Sequence, residues 1–185
     1  MKHELREFFP KVLGIYHPDG AFDPDEIKAK CEQIKEDVVE GHDEWSHNLY
    51  DPENLFHFYN QSNSSLLDCD PVFEKFEKWL QESCAHFMTE VHNYVLPEGA
   101  DDIFVSDCWM NWCKRERAEQ VKHNHNNSII SGTYYVCREE HVHSGLDFFM
   151  TIPDTHPTLT HFKQWDNLTK YSRQKEQFYP SEGTL

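Results

Sequence analysis

Two stretches in the first half of the chain carry apolar residues at the three- and four-residue spacing of amphipathic helices. The first stretch begins at the capping residues Asp23 and Pro24 and ends at Gly41, and the second begins in the same way at Asp70 and Pro71. The apolar positions of the first helix are Ile27, Cys31, Ile34 and Val38. Those of the second predict one continuous buried stripe: Phe73, Phe76, Leu80, Cys84, Phe87, Val91 and Tyr94.

After residue 102 the pattern changes to short segments rich in β-branched and aromatic residues. These segments predict strands over 103–113, 129–137 and 146–152, and a further strand that begins at 178–179. Helices followed by strands are typical of the α+β class, with an antiparallel sheet or barrel covered by helices on one side. We therefore expect a single domain over 1–185, mainly helical in 1–100 and built from strands in 101–185.

The charge of the chain excludes two classes of partner. There are 17 Lys and Arg residues against 33 Asp and Glu residues, which gives a formal net charge of -16. Such a field repels nucleic-acid phosphates and anionic membrane surfaces. No stretch reaches the roughly 20 apolar residues that a membrane span needs, and charges interrupt the first ten residues where a secretion signal would be apolar. We expect a cytoplasmic protein that binds neither nucleic acid nor membrane.

Histidine is the residue type that suggests chemistry. The six cysteines contain no CxxC pair and are expected to be reduced thiols, whereas the chain has 13 histidines. Two of these, His123 and His125, are two residues apart just before the segment 129–137, so on an extended chain both rings point to the same side. Imidazole pairs suit iron, zinc, copper and nickel. By spacing alone, a solvated Asn-rich turn remains the simpler interpretation.

A set of motifs in the second half resembles one family of metal enzymes. The motifs are Trp109-Met-Asn111, His123-Asn-His125-Asn-Asn-Ser128, Ser131-Gly-Thr-Tyr-Tyr135-Val and Ser144-Gly-Leu-Asp-Phe148. Together they resemble the 2-oxoglutarate/Fe(II)-dependent oxygenases, in particular a prolyl-hydroxylase-like branch common in phages and marine bacteria. The opening Phe8-Phe9-Pro10 is also similar to the start of that branch.

The resemblance implies a double-stranded β-helix, or jelly-roll barrel, with the N-terminal helices packed on one face. It implies Fe(II) bound by His123 and His125, although most of the superfamily has Asp or Glu at the second of these positions. It also implies that Tyr135 orients the 2-oxoglutarate and that Trp109 and Asn111 line or support the site. The implied reaction is hydroxylation of a small molecule or a protein side chain, coupled to decarboxylation of 2-oxoglutarate to succinate.

The last residues, 179–185, resemble the family segment that leads into the strand carrying the last iron-binding histidine. That strand, and the next one with the Arg or Lys that pairs with 2-oxoglutarate, are absent from the sequence. We therefore expect an incomplete barrel, truncated at its C-terminus and located in the host cytoplasm if the protein is phage-encoded. Two alternatives remain open: a cupin-like metal-dependent protein, and a catalytically inactive jelly-roll interaction protein. Substrate and oligomeric state are not readable from the sequence.

Other candidate ligands have weaker support. His141, His143, His156 and His161 are substitutes for a missing ligand, and nothing in their spacing distinguishes one of them. Asp107 and Asp147 lie among apolar residues of predicted strands, where we expect polar-face residues before iron carboxylates.

Overall fold

The computed structural model describes residues 11–37, 55–58, 65–96, 103–113, 120, 122–125, 128–138, 145–149 and 175–185. The chain divides into two units. One unit is Met1–Cys137 together with Gly183–Leu185, and the other is Arg138–Glu182. The described residues combine two α-helices with short antiparallel strands, which confirms the mixed helix-and-strand class at this level.

Helix α1 (Pro24–Asp37) forms where the pattern predicts it. The carboxylate of Asp23 accepts a hydrogen bond from the backbone N–H of Asp25 at 3.0 Å, which satisfies a donor left open by the first turn. The predicted buried face is confirmed for its first three members, Ile27, Cys31 and Ile34. Its fourth member, Val38, and the predicted end at Gly41 lie outside the described residues.

Helix α2 (Glu74–His86) follows a short 3-10 turn, Pro71–Phe73. Asp70 caps this turn, because its Oδ1 accepts a hydrogen bond from the N–H of Val72 at 3.0 Å, while its Oδ2 lies 2.6 Å from Nζ of Lys30 on α1. The hydrogen bond from Lys30 and then that from Val72 lower the pKa of Asp70. The stability from this link is therefore present above the unfolded-state pKa and is lost as the pH falls through the lower, folded-state value.

The buried stripe of α2 is shorter than predicted. Phe73, Phe76 and Leu80 are buried, and Cys84 and Phe87 are half-buried. Val91 and Tyr94 are 44% and 59% exposed, so the prediction of a continuous stripe to Tyr94 is wrong. A π-helical segment, Phe87–Val91, follows α2, and the helix ends at His92, so Tyr94 lies beyond it. A π turn holds more residues than an α turn, so it rotates later side chains away from the face that α2 buries.

The core of the larger unit is formed by α1, α2, the segments that directly precede these helices, and the first residue of the strand Met110–Cys113. Among the described residues, eleven hydrophobic ones are buried there: Phe22, Ile27, Cys31, Ile34, Leu66, Leu67, Phe73, Phe76, Trp79, Leu80 and Met110. Phe73 and Ile27 are 0% and 1% exposed. Trp79 and Met110 join this core although neither belongs to the predicted helix stripes.

Strands β1 (Leu55–Phe58) and β2 (Met110–Cys113) form an antiparallel pair in which His57 lies opposite Asn111. The predicted strand 103–113 is therefore confirmed as a strand over its last four residues alone. Before β2, Cys108 forms an isolated parallel bridge with Ser65. The described residues 103–107 are not assigned to a strand, and Phe104 is 78% exposed.

The final three residues of the chain lie between two other segments of the larger unit. Tyr16 and Leu185 exchange two backbone hydrogen bonds, each 3.0 Å long. On the other side, Gly183 N–H donates to the carbonyl of Tyr135 at 2.8 Å, and Tyr135 N–H donates to the carbonyl of Thr184 at 2.9 Å. With φ of 75° at Gly183, this is the bond pattern of a G1 β-bulge, which favours glycine. We call these contacts the closing ladder.

The closing ladder accounts for an error in the predicted strand 129–137. The structure describes residues 128–138, and none of them is assigned to a strand. Instead, the backbone of Tyr135 bonds to the bulge at Gly183 and Thr184, which interrupts regular pairing. A Cβ at Gly132 would lie 3.1 Å from Cδ1 of Leu185, so glycine allows the two segments to approach closely here.

The smaller unit contains an antiparallel pair of strands, β3 (Leu146–Phe149) and β4 (Lys175–Phe178). Strand β3 confirms the start of the predicted strand 146–152, whose last three residues lie outside the described part. Strand β4 begins before the predicted start at 178–179. Gly145 precedes β3, and a Cβ there would lie 2.5 Å from the carbonyl oxygen of Phe178. Glycine is therefore required where the two strands meet.

Within the part of the chain that the structure describes, no helix has the length and apolar character needed to cross a membrane.

Replacing Phe73 by alanine should destabilise the larger unit by about 3–5 kcal/mol, because it removes a fully buried ring and leaves a cavity. Urea unfolding followed by tryptophan fluorescence measures the loss. Val95→Ala is the matched control, since Val95 is 92% exposed and its truncation should change stability by less than about 0.5 kcal/mol. Equal effects of the two substitutions would contradict this account of the core.

Candidate metal centre

Along β2 and the residue before it, side chains alternate between the core and the opposite side of the strand. Met110 is buried, and Trp112 packs against the core with Nζ of Lys35 located 4.2 Å from its ring centroid. Side chains alternate along an extended chain, so Trp109 and Asn111 belong to the opposite side. Asn111 is exposed there, and Trp109 is half-buried.

The two histidines of the predicted site lie next to each other. The ring centroids of His123 and His125 are 5.0 Å apart, with an angle of 75° between the ring planes. The ring of Trp109 covers His125, with centroids 5.5 Å apart and planes inclined at 32°. His123 is exposed and His125 half-buried, so one ring is open to solvent and the other is shielded by the indole.

This environment changes the acidity of one imidazole. Partial burial, and then the proximity of His123, lower the pKa of His125 below its ordinary value. Both causes act against the charged form, because burial removes water from the imidazolium and a second imidazolium repels it. His125 therefore stays neutral to a lower pH, and a neutral imidazole is the form that can bind a metal ion.

Tyr134 and Tyr135 have different surroundings: the ring of Tyr134 packs against the core, and the backbone of Tyr135 belongs to the closing ladder. The ring of Tyr134 packs among the aromatic rings of Phe22, Phe76 and Trp79, with centroid distances of 5.7, 5.0 and 5.8 Å. The neighbouring Tyr135 is half-buried, and its backbone forms the closing ladder. Alternation thus places Tyr134 in the core, and it leaves Tyr135 as the tyrosine that can face away from it.

The cluster therefore consists of His123, His125 and Trp109. Asn111 lies on β2, two residues after Trp109. The backbone of Tyr135 belongs to the closing ladder. Among the described residues, no set of three or more His, Cys, Asp and Glu side chains has a geometry able to hold a metal ion. His141, His143, His156 and His161 lie outside the described residues.

The two aspartates considered from the sequence differ in their surroundings. Asp147 on β3 accepts a hydrogen bond from Nζ of Lys175 at 2.8 Å, which is the behaviour of a polar-face residue on a paired strand. Asp107 is half-buried and precedes the bridge at Cys108.

Sequence reasoning did not find the closing ladder or the bridge between Ser65 and Cys108. A local signal for the first exists, because the Glu182-Gly183 step is typical of a turn with a left-handed residue. The second depends on a contact between segments more than 40 residues apart, for which the sequence carries no local signal.

Comparison of this chain with protein-family models, with curated proteins and with solved structures finds no match. The interpretation of the site therefore depends on the residues themselves.

The pKa of His125 should lie below the ordinary value for histidine, and His123→Ala should raise it part of the way back. The reason is that the substitution removes the neighbouring imidazolium but leaves the indole of Trp109 in place. Two-dimensional NMR of the imidazole protons measures both midpoints. His17→Ala, at an exposed histidine, is the control and should leave the midpoint unchanged.

The lowered pKa of His125 also makes the stability of the folded protein depend on pH. Since the folded-state pKa of His125 is the lower one, its contribution is present above the unfolded-state pKa and is lost as the pH falls through the folded value. A midpoint for His125 above that of a solvent-exposed histidine would contradict the geometry described here.

Proposed function

We propose that the protein is an Fe(II)- and 2-oxoglutarate-dependent dioxygenase that hydroxylates a small molecule or a protein side chain. The observation that carries the proposal is the pair of adjacent imidazoles, His123 and His125, one of them shielded by Trp109. The motif resemblance supports the reaction class, and the proximity of the two rings supports a shared metal ion. The finer fold in this proposal is the jelly-roll barrel.

The distance between the two rings suits a shared metal ion. A metal–nitrogen bond of about 2.1 Å places each ring centroid about 3.2 Å from the metal, so two neighbouring ligands have centroids about 4.5–5.2 Å apart. The observed separation is 5.0 Å. Both imidazoles can therefore bind one ion without a large movement of the backbone, provided that each turns a nitrogen toward it.

The pair supplies part of a ligand set. A facial iron site has three protein ligands and leaves the remaining positions for cosubstrate and oxygen. The described residues offer two of these ligands, and we assign the third to a residue outside them. An imidazole at position 125 in place of a carboxylate leaves one more positive charge on the centre, which strengthens its attraction for the carboxylates of 2-oxoglutarate.

The other residues have supporting roles in this proposal. The indole of Trp109 fixes the orientation of the His125 ring and keeps water from that side of it. The Tyr135 hydroxyl would donate a hydrogen bond to the distal carboxylate of 2-oxoglutarate, and the closing ladder holds the backbone of Tyr135 in place for this. Asn111 presents its side-chain amide on the same side of β2 as Trp109. When bound, iron with 2-oxoglutarate supplies the oxidising chemistry, and the protein supplies ligands, orientation and exclusion of water.

Anaerobic titration with Fe(II), followed by 2-oxoglutarate, tests the proposal. We expect Fe(II) binding by calorimetry and a weak visible charge-transfer band that needs both additions. His123→Ala and His125→Ala should each weaken Fe(II) binding more than about 100-fold, because even a residue that only supports a ligand contributes about 10–100-fold. His17→Ala is the matched control and should bind Fe(II) as the parent protein does.

Each other outcome selects a different class. Metal binding without the band, and no consumption of 2-oxoglutarate after air is admitted, would contradict the oxygenase and favour the cupin-like protein. A complete lack of metal binding would contradict both and favour a catalytically inactive interaction protein.

A further inference from the structure

Two cysteines of the larger unit, Cys69 and Cys108, lie near each other where the segment 65–69 passes residue 108. Ser65 and Cys108 are partners in a parallel bridge, and the N–H of Leu66 donates to the carbonyl of Cys108 at 2.6 Å. Adjacent extended segments are about 4.8 Å apart. The backbone of Cys108 is thus fixed directly beside that of Ser65 and Leu66.

The second cysteine turns its sulfur back toward this bridge. A short 3-10 turn, Leu67–Cys69, follows Leu66, and the N–H of Cys69 donates to the carbonyl of Leu66 at 3.1 Å. The Sγ of Cys69 lies 3.8 Å from the carbonyl oxygen of Ser65, the residue that pairs with Cys108. The bridge and the tight turn thus hold both cysteines next to Ser65, and Cys69 is close enough to contribute to the raised pKa of Cys108. A disulfide between them requires a Cα–Cα separation of about 4.4–6.8 Å.

The two thiols differ in access. Cys69 is exposed, and Cys108 is half-buried. Burial raises the pKa of Cys108 to about 12, and repulsion from Cys31, Glu77 and Cys69 contributes to this rise. An oxidant in solution therefore meets Cys69 first, while Cys108 is protected from direct attack.

We propose that Cys69 and Cys108 form a reversible disulfide when the protein meets a peroxide. The Cys69 thiolate attacks one oxygen of hydrogen peroxide, the O–O bond breaks, and the products are a sulfenic acid and hydroxide. The Cys108 thiolate then attacks the Cys69 sulfur, forms the S–S bond and expels hydroxide. The two thiol protons neutralise the two hydroxides, so two thiols and one peroxide give one disulfide and two water molecules.

A third thiol nearby is excluded as the first reactant. Cys31 is only 2% exposed, and burial raises its pKa to about 11. It remains a packing residue of α1. The proposal does not depend on metal binding, but Cys108 directly precedes Trp109, so the cross-link would tie the backbone next to the histidine pair to the start of the α2 region.

Peptide mapping tests the proposal. The reduced protein is treated with one equivalent of hydrogen peroxide, blocked with N-ethylmaleimide, and digested with chymotrypsin without reductant. Cleavage after Leu67, Phe73, Phe104 and Trp109 separates Cys108 from Cys84 and Cys113. We expect peptides 68–73 and 105–109 to appear joined, and dithiothreitol to separate them.

Single-residue variants test whether Cys69 is oxidised first and Cys108 then attacks it. Cys108→Ala should stop at the sulfenic acid of Cys69, trapped as a dimedone adduct, and Cys69→Ser should leave Cys108 reduced. Cys137→Ser is the control at another exposed thiol and should leave the cross-link unchanged. Sulfinic acid at Cys69 without a cross-link in the parent protein, or a cross-link of Cys108 to Cys31 instead, would overturn the proposal whether or not the variants fold.

Discussion

The packing of Tyr134 among Phe22, Phe76 and Trp79 is the interaction on which the described part of the larger unit depends. Its ring joins the segment that follows the two histidines to the helical layer, with centroid distances of 5.0 to 5.8 Å. Each such aromatic pair contributes about 0.5–1.5 kcal/mol beyond the burial of area, and here three pairs share one ring. Met110 anchors β2 to the same core. Both segments that position the candidate site are thus fixed by one set of apolar contacts.

This arrangement explains which side chains remain available for chemistry. Once Met110 and Tyr134 are committed to the core, alternation leaves their neighbours Trp109, Asn111 and Tyr135 on the other side of their segments. The closing ladder then holds the backbone of Tyr135 from the opposite edge through Gly183 and Thr184. Trp109, Asn111 and Tyr135 are adjacent to residues packed in or against the core, so the placement of their backbone follows from how the core packs.

The sequence predicted those elements in which local signals agree. The caps at Asp23 and Asp70 and the apolar spacing of α1 and α2 are such signals, and the structure confirms them. Prediction failed where the backbone departs from regular secondary structure. The π segment after α2 and the end of the helix at His92 leave Val91 and Tyr94 exposed, and the bulge at Gly183 interrupts the regular strand expected over 129–137.

For the candidate site, the sequence placed His123 and His125 on one side of an extended segment, and the rings do lie 5.0 Å apart. It could not predict the contact of Trp109 with His125, because that contact joins residues whose separation is set by the core. The metal and the reaction remain predictions from the motif resemblance and from this geometry.

In the proposed function, one metal ion is bound by both His123 and His125. X-ray absorption spectroscopy of the Fe(II)-loaded protein measures this directly, because each bound imidazole adds a distinct multiple-scattering signal. The account predicts a signal from at least two imidazoles, reduced by one ring in His123→Ala and by one ring in His125→Ala. An iron spectrum that neither substitution alters would contradict it.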